Sequence, residues 1–146
     1  MRAKLLLANS AEVRESLLYI LGGGWDQIGP NPQPFAITGY LEIEWDETNR
    51  KHEVEILVED EDGKPLMVQA PSGEYQPLKI GSAFTAGRPP TAPVGTSFNV
   101  PLAIPIVALP WTPGKRYVVT LKVNGNQLDH LIFTVRPLPP SGAVRG

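Results

Sequence analysis

The 146-residue chain has a formal net charge of −2, no cysteine, 16 prolines and 14 glycines. The absent thiols exclude disulfides, cysteine nucleophiles and cysteine-based zinc or iron–sulfur centres, and a charge this close to zero points away from a nucleic-acid partner. One domain with a self-sufficient core fits this length, and the frequent Pro and Gly punctuate it as turns between short strands do.

The segment Arg2-Ala3-Lys4-Leu5-Leu6-Leu7-Ala8 has the charge-then-apolar order of a signal peptide. Its apolar run is short, and Glu12, Arg14 and Glu15 follow at once, so Lys4–Ala8 reads as a first strand and not as a leader. No stretch reaches transmembrane length. The expectation is a cytoplasmic or virion-borne protein with no membrane partner. Asn9–Arg14 reads as a short helical turn, with Asn9 as N-cap and Glu12 three residues on. Leu17–Leu21 is a second strand running into Gly22-Gly23-Gly24-Trp25-Asp26. The glycines free the backbone for a bulge or positive φ, and the tryptophan offers a large apolar surface to pack. No Gly-Lys-Ser/Thr and no helix follow, so this run is not a phosphate loop.

Phe35–Trp45 alternates, with Leu41, Ile43 and Trp45 inward and Tyr40, Glu42 and Glu44 outward. Lys51–Glu59 places Val54, Ile56 and Val58 inward. A turn at Asp60-Glu61-Asp62-Gly63, a short strand near Pro65–Gln69 and a strand within Tyr75–Ala86 follow, then a proline-rich loop at Gly87–Gly95. Phe98–Leu109 is apolar on both faces. Lys115–Val123 and Gln127–Val135 form a hairpin. To share one core face, Tyr117 and Val119 must oppose Phe133 and Leu131. A three-residue loop, Asn124–Asn126, does this directly; a two-residue Asn-Gly turn does so only with a bulge in the second strand.

The stretch Ala11-Glu12-Val13-Arg14-Glu15, then Leu17-Leu18-Tyr19-Ile20-Leu21-Gly22-Gly23-Gly24-Trp25-Asp26, resembles an uncharacterised family of small domains found in bacteria and phages. Pro113–Tyr117 through Gly125 and the strand Leu131–Val135 fit the same family, and the resemblance covers most of the chain. It implies a β-sandwich and no established activity, so it carries no catalytic residue over.

The fold expected is all-β, an antiparallel sandwich of immunoglobulin-like or jelly-roll type over residues 1–136, with a proline-rich tail at 137–146. Two surfaces are candidates for function. The first is acidic. A tight turn at Asn49-Arg50 opposes Glu44 to Glu55 and Asp46 to Glu53, and Glu42 and Glu59 extend the stripe. Opposed like charges suit a basic partner, a weak divalent cation, or simple solvation. The acidic turns Asp46-Glu47 and Asp60–Gly63 lie one strand apart, ~30 Å at ~3.3 Å per residue, and cannot share an ion. Carboxylates on an open face lack the cleft that general acid–base work needs.

The second surface is apolar. Val100–Trp111 carries no charge, and Pro101 and Pro105 place it at a sheet edge. Its Leu102, Ile104, Ile106 and Trp111 are expected either against another subunit or beneath the chain's own loops. Val118 and Ile132, with Leu128 opposite Lys122, add an apolar outer face on the hairpin, and the tail is a stiff arm. The leading reading is therefore a non-catalytic sandwich that self-associates or docks on a larger assembly, a phage capsid-decoration or tail component being the most concrete version. It has no catalytic, metal or cofactor residue. The alternative is a monomeric binding module using the acidic face. The third is a hydrolase built on His52 or His130, which no nucleophile-elbow motif supports.

Overall fold

A computed structural model describes residues 1–140 of the chain. It is all-β and forms a sandwich. In chain order the strands are β1 (Arg2–Arg14), β2 (Leu17–Gly23), β3 (Gln27–Ile28), β4 (Phe35–Ile43), β5 (Lys51–Asp60), β6 (Met67–Gln69), β7 (Tyr75–Pro77), β8 (Lys79–Thr85), β9 (Phe98–Ile106), β10 (Arg116–Val123) and β11 (Asn126–Val135). One sheet has the order β2-β1-β4-β9, the other β3-β11-β10-β5-β8, and β6 and β7 form a small separate hairpin. All pairings are antiparallel except β3 with β11. The runs β1-β4-β9 and β8-β5-β10-β11 follow the A-B-E and C′-C-F-G order of an immunoglobulin-type sandwich. Of the two sandwich types expected, the strand order matches this one.

Alternation made the core legible. Leu41, Ile43, Val54, Ile56, Val58, Tyr117, Val119, Leu121 and Phe133 are all buried. Leu131 is half-buried at the margin of the same core. An aromatic group closes one end of the sandwich: Trp111 packs edge-on to Tyr117 at 4.8 Å and to Phe133 at 5.1 Å. Tyr117 is the second residue of β10, and its hydroxyl accepts the Thr112 N–H at 2.9 Å. This is the tyrosine-corner arrangement of immunoglobulin-like sandwiches, in which a side chain clamps the approach to the sixth strand. Trp25 is half-buried on the same group, 5.4 Å from Phe35 and 6.2 Å from Phe133. Gly22 at φ 62° and Gly24 at φ 90° turn the chain back so that it gets there, and the Gly24 N–H is tied to Leu7 O at 2.7 Å.

Four local expectations are corrected. Asn9–Arg14 is not a helical turn but the continuation of β1. Glu15 and Ser16 have φ of 50° and 63°, the successive positive values of a type I′ turn, so Asn9–Arg14 gains β2 as a ladder partner and the helix-cap signal is overridden. Trp45 is not core. β4 ends at Ile43, and Glu44 and Glu47 form a capping box around a single 3₁₀ turn, Trp45–Glu47. That turn leaves the indole half-buried, stacked on Phe98 and covered by the Arg88 guanidinium 4.0 Å away. The β10–β11 loop is the two-residue turn Asn124-Gly125, not a three-residue loop. The expected pairs Val119 with Leu131 and Tyr117 with Phe133 survive because the register shifts beyond Leu121, leaving Leu128 as a bulge and putting Gln127, not Leu128, opposite Lys122. The strand expected within Tyr75–Ala86 is two, β7 and β8, broken at Leu78.

Candidate functional site

The acidic stripe does not form. The 3₁₀ turn after β4 carries the chain from one sheet to the other, so β4 and β5 are not neighbours and Glu44 never faces Glu55, nor Asp46 Glu53. Each sheet supplies its own cations instead. Glu42 pairs with Arg2 across β1 and β4. Glu55 pairs with Lys79 and Glu53 with Lys51, both at 3.2 Å. Exposed pairs of this kind contribute ~0–1 kcal/mol each. Asp60 is buried at the turn after β5, where its carboxylate accepts the N–H groups of Lys64 and Asp62 at 3.0 and 2.9 Å. Those backbone bonds, helped by Lys115, hold it below the usual aspartate range. The turn is self-contained. No group of three His, Asp or Glu residues is placed to hold a metal among the described residues.

His52 is buried, and both ring nitrogens are engaged: Nε2 with Glu47 O at 2.7 Å and Nδ1 with the Asn124 side-chain amide at 2.9 Å. Asn124 Oδ1 accepts the Glu53 N–H at 3.0 Å. The imidazole thus ties β5 to the β10–β11 turn, a structural use. His130 is exposed on β11, opposite Thr120.

The apolar segment Val100–Trp111 does sit at an edge, since β9 ends its sheet beside β4. Its cover is the opposite sheet of the same molecule. Ile106 and Trp111 are 5% exposed, and Leu102 and Ile104 are half-buried against the core. Ile106 and Trp111 are core residues in this fold, and Leu102 and Ile104 pack partly against that core. Val118 and Ile132 oppose each other as expected, with Ile132 exposed and Val118 half-covered. Of the tail, residues 141–146 lie outside the described residues.

Among the described residues, a cluster of exposed apolar side chains lies elsewhere, on and beside the segment read only as a second strand. Ala8 is the last residue of β1 paired with β4. Beyond it, β1 is paired only with β2, with Ser10 opposite Leu21, Glu12 opposite Tyr19 and Arg14 opposite Leu17, and the end of β9 approaches the root of the pair. The pair forms a two-stranded arm projecting past the four-stranded sheet. Leu17 is 59% exposed, Tyr19 49% and Leu21 70%, with Val13 and Ile20 exposed beside them. At the arm's root, Ala11, Pro34, Ala36, Pro105 and Val107 line a shallow apolar cleft. The signal was present in the sequence: Leu17–Leu21 is apolar without alternation, so no single buried face can absorb it. Its position outside the sandwich was not.

The family model described as "Family of unknown function (DUF6941)" matches residues 4–136, which spans the sandwich and the whole arm. No curated protein and no solved structure matches the chain. By the extent of that match, the chain belongs to this family of unknown function.

Proposed function

We propose that the chain is a non-catalytic interaction sandwich that works as part of a larger protein assembly, with the β1–β2 arm as its contact element. A phage capsid-decoration or tail component is the most concrete form of this reading. The observation that carries it is the exposure of Leu17, Tyr19 and Leu21 on a hairpin whose outer side chains are left open among the described residues. A two-stranded hairpin alone is only marginally stable in water, so a partner on the arm stabilises both the contact and the arm itself. Covering ~400 Å² of apolar surface contributes about 10 kcal/mol gross at ~25 cal/mol per Å². Association costs on the order of 4–15 kcal/mol, which a contact of this size can meet when the backbone edge pairs as well.

The test is the full chain carrying Leu17→Ser and Leu21→Ser. Thermal unfolding should match the unmodified protein within a few degrees, because neither side chain packs in the core. Association, followed by light scattering and by co-purification with larger particles from the native source, should be lost. An unmodified chain that associates with nothing, or a double variant that associates as before, refutes the reading.

A further inference from the structure

Among the described residues the two large sheets end in the edge strands β2, β9, β3 and β8, and these are not equivalent. At β9, Pro101 and Pro105 are four residues apart and so lie on the same side of the strand, where neither offers an N–H. β3 is two residues long. β8 begins with Lys79, which is ion-paired, and continues through the small or polar residues Gly81, Ser82 and Ala83. These are the ordinary ways of blunting an edge. β2 has none of them: from Leu17 to Gly23 it holds no proline and no charge. The charges of the arm are Glu15 in the turn and, on β1, Glu12 and Arg14, which pair with each other while the Arg14 guanidinium lies 5.4 Å from the Tyr19 ring.

The turn decides which backbone groups of β2 are free. In a two-residue hairpin the pair flanking the turn exchanges hydrogen bonds, and alternate pairs thereafter do the same. Here these are Arg14 with Leu17, Glu12 with Tyr19 and Ser10 with Leu21. The N–H and C=O groups of Leu18 and Ile20 therefore point away from β1, toward the open edge. A second β2 laid antiparallel with Tyr19 opposite Tyr19 puts Leu18 opposite Ile20 and Ile20 opposite Leu18, so every one of those free groups meets a complement. In the same register Leu17 faces Leu21, and no charge faces a charge. Shifting the register to centre on Leu18 sets Ile20 opposite Ser16, which lies in the turn and outside β2.

We infer that the arm's partner is a second copy of this chain, joined by antiparallel β2–β2 pairing across a two-fold axis at Tyr19. The contact is isologous and closes on itself, joining two four-stranded sheets into one. The inference rests on the reading of the arm as a contact element and names what it contacts.

The full chain should scatter light as a dimer at micromolar concentration. Because the protein has no cysteine of its own, Tyr19→Cys reports the axis: a non-hydrogen-bonded antiparallel pair has Cα atoms ~4.5 Å apart, within disulfide range. Mild oxidation should then crosslink Tyr19→Cys into a covalent dimer. Leu17→Cys should not crosslink, since its own copy lies four residues away along the partner strand. Ile20→Pro removes one outward N–H, and Ile20→Lys charges the edge. Each should weaken dimerisation at least ~100-fold while thermal unfolding of the sandwich stays cooperative. A dimer that crosslinks equally through Leu17→Cys, or that survives both Ile20 variants, overturns the inferred contact. If the unmodified chain is a monomer whose binding to a different protein is lost in the Leu17/Leu21 variant, the inference fails and the arm reading stands. If it is a monomer indifferent to every arm variant, both fail.

Discussion

Replacing Gly39 by alanine should be among the most damaging single changes in this protein, although it adds one methyl group. Gly39 sits in the middle of β4, opposite Leu5 on one side and Leu102 on the other, at φ +145°. A Cβ there would lie 1.9 Å from the Lys4 carbonyl oxygen and 3.0 Å from Leu5 Cα. Both are backbone atoms, so no rotamer change relieves the contact. Reaching even the 3.4 Å of ordinary contact means moving β1 and β4 apart by about 1.5 Å. That breaks the ladder locally, at about 1 kcal/mol per hydrogen bond, and the backbone conformation itself adds ~1–3 kcal/mol for a non-glycine residue. It also disturbs the Leu5 N–H, which is spent on Asp129 of the opposite sheet at 2.9 Å. The sum is ~3–5 kcal/mol, a large share of the ~5–15 kcal/mol that holds a domain folded. Urea unfolding followed by tryptophan fluorescence should show the midpoint falling by ~1–5 M for a slope of ~1–3 kcal/mol per M. Gly81→Ala is the internal control. It is also a strand glycine, but its added Cβ meets nothing within 4 Å, so it should be neutral or stabilise by ~0.5–1 kcal/mol. Equal effects of the two substitutions would refute the account of β1 lying against Gly39.

Tyr117→Phe should destabilise by ~1–2 kcal/mol, because the lost hydroxyl leaves the Thr112 N–H without its partner; Thr112 should also lose amide-exchange protection, and unchanged exchange would count against the corner's role. Trp25→Ala should cost ~2–4 kcal/mol, less than a fully buried tryptophan, since the indole is half-exposed over Phe35 and Phe133; a melting temperature shifted by under a degree would contradict it. The Asp60 carboxylate is held below its ordinary value of 3.8 by the Lys64 and Asp62 N–H groups. Its stabilising contribution is complete above that ordinary value and is lost as pH falls through the lower, folded-state value. The unmodified chain should therefore lose melting temperature on acidification, and Asp60→Asn should flatten the acid side of that profile.

Much of the sandwich was legible because period-two alternation is a local record of which face is buried. Val54, Ile56 and Val58, or Tyr117, Val119 and Leu121, carry that record whatever they pack against, and all are buried. The β10–β11 pairing was readable for the same reason, since a slip of one residue would have turned Phe133 to the solvent. What alternation does not encode is which sheet a strand joins. β4 and β5 each show acidic outer faces, but the turn at Trp45–Glu47 separates them into different sheets, and the expected acidic stripe vanishes with the separation. The apolar segment Val100–Trp111 reads from sequence equally as a contact surface or as covered, and the core burial of Ile106 and Trp111 is decided by residues distant in the chain. The converse holds for Leu17–Leu21. The residues themselves ask only for a strand, and their exposure follows from β1 outrunning β4 at Ala8. Residue type determined where apolar surface exists along the chain; three-dimensional pairing alone decided which of it is covered, because cover is supplied by residues distant in sequence.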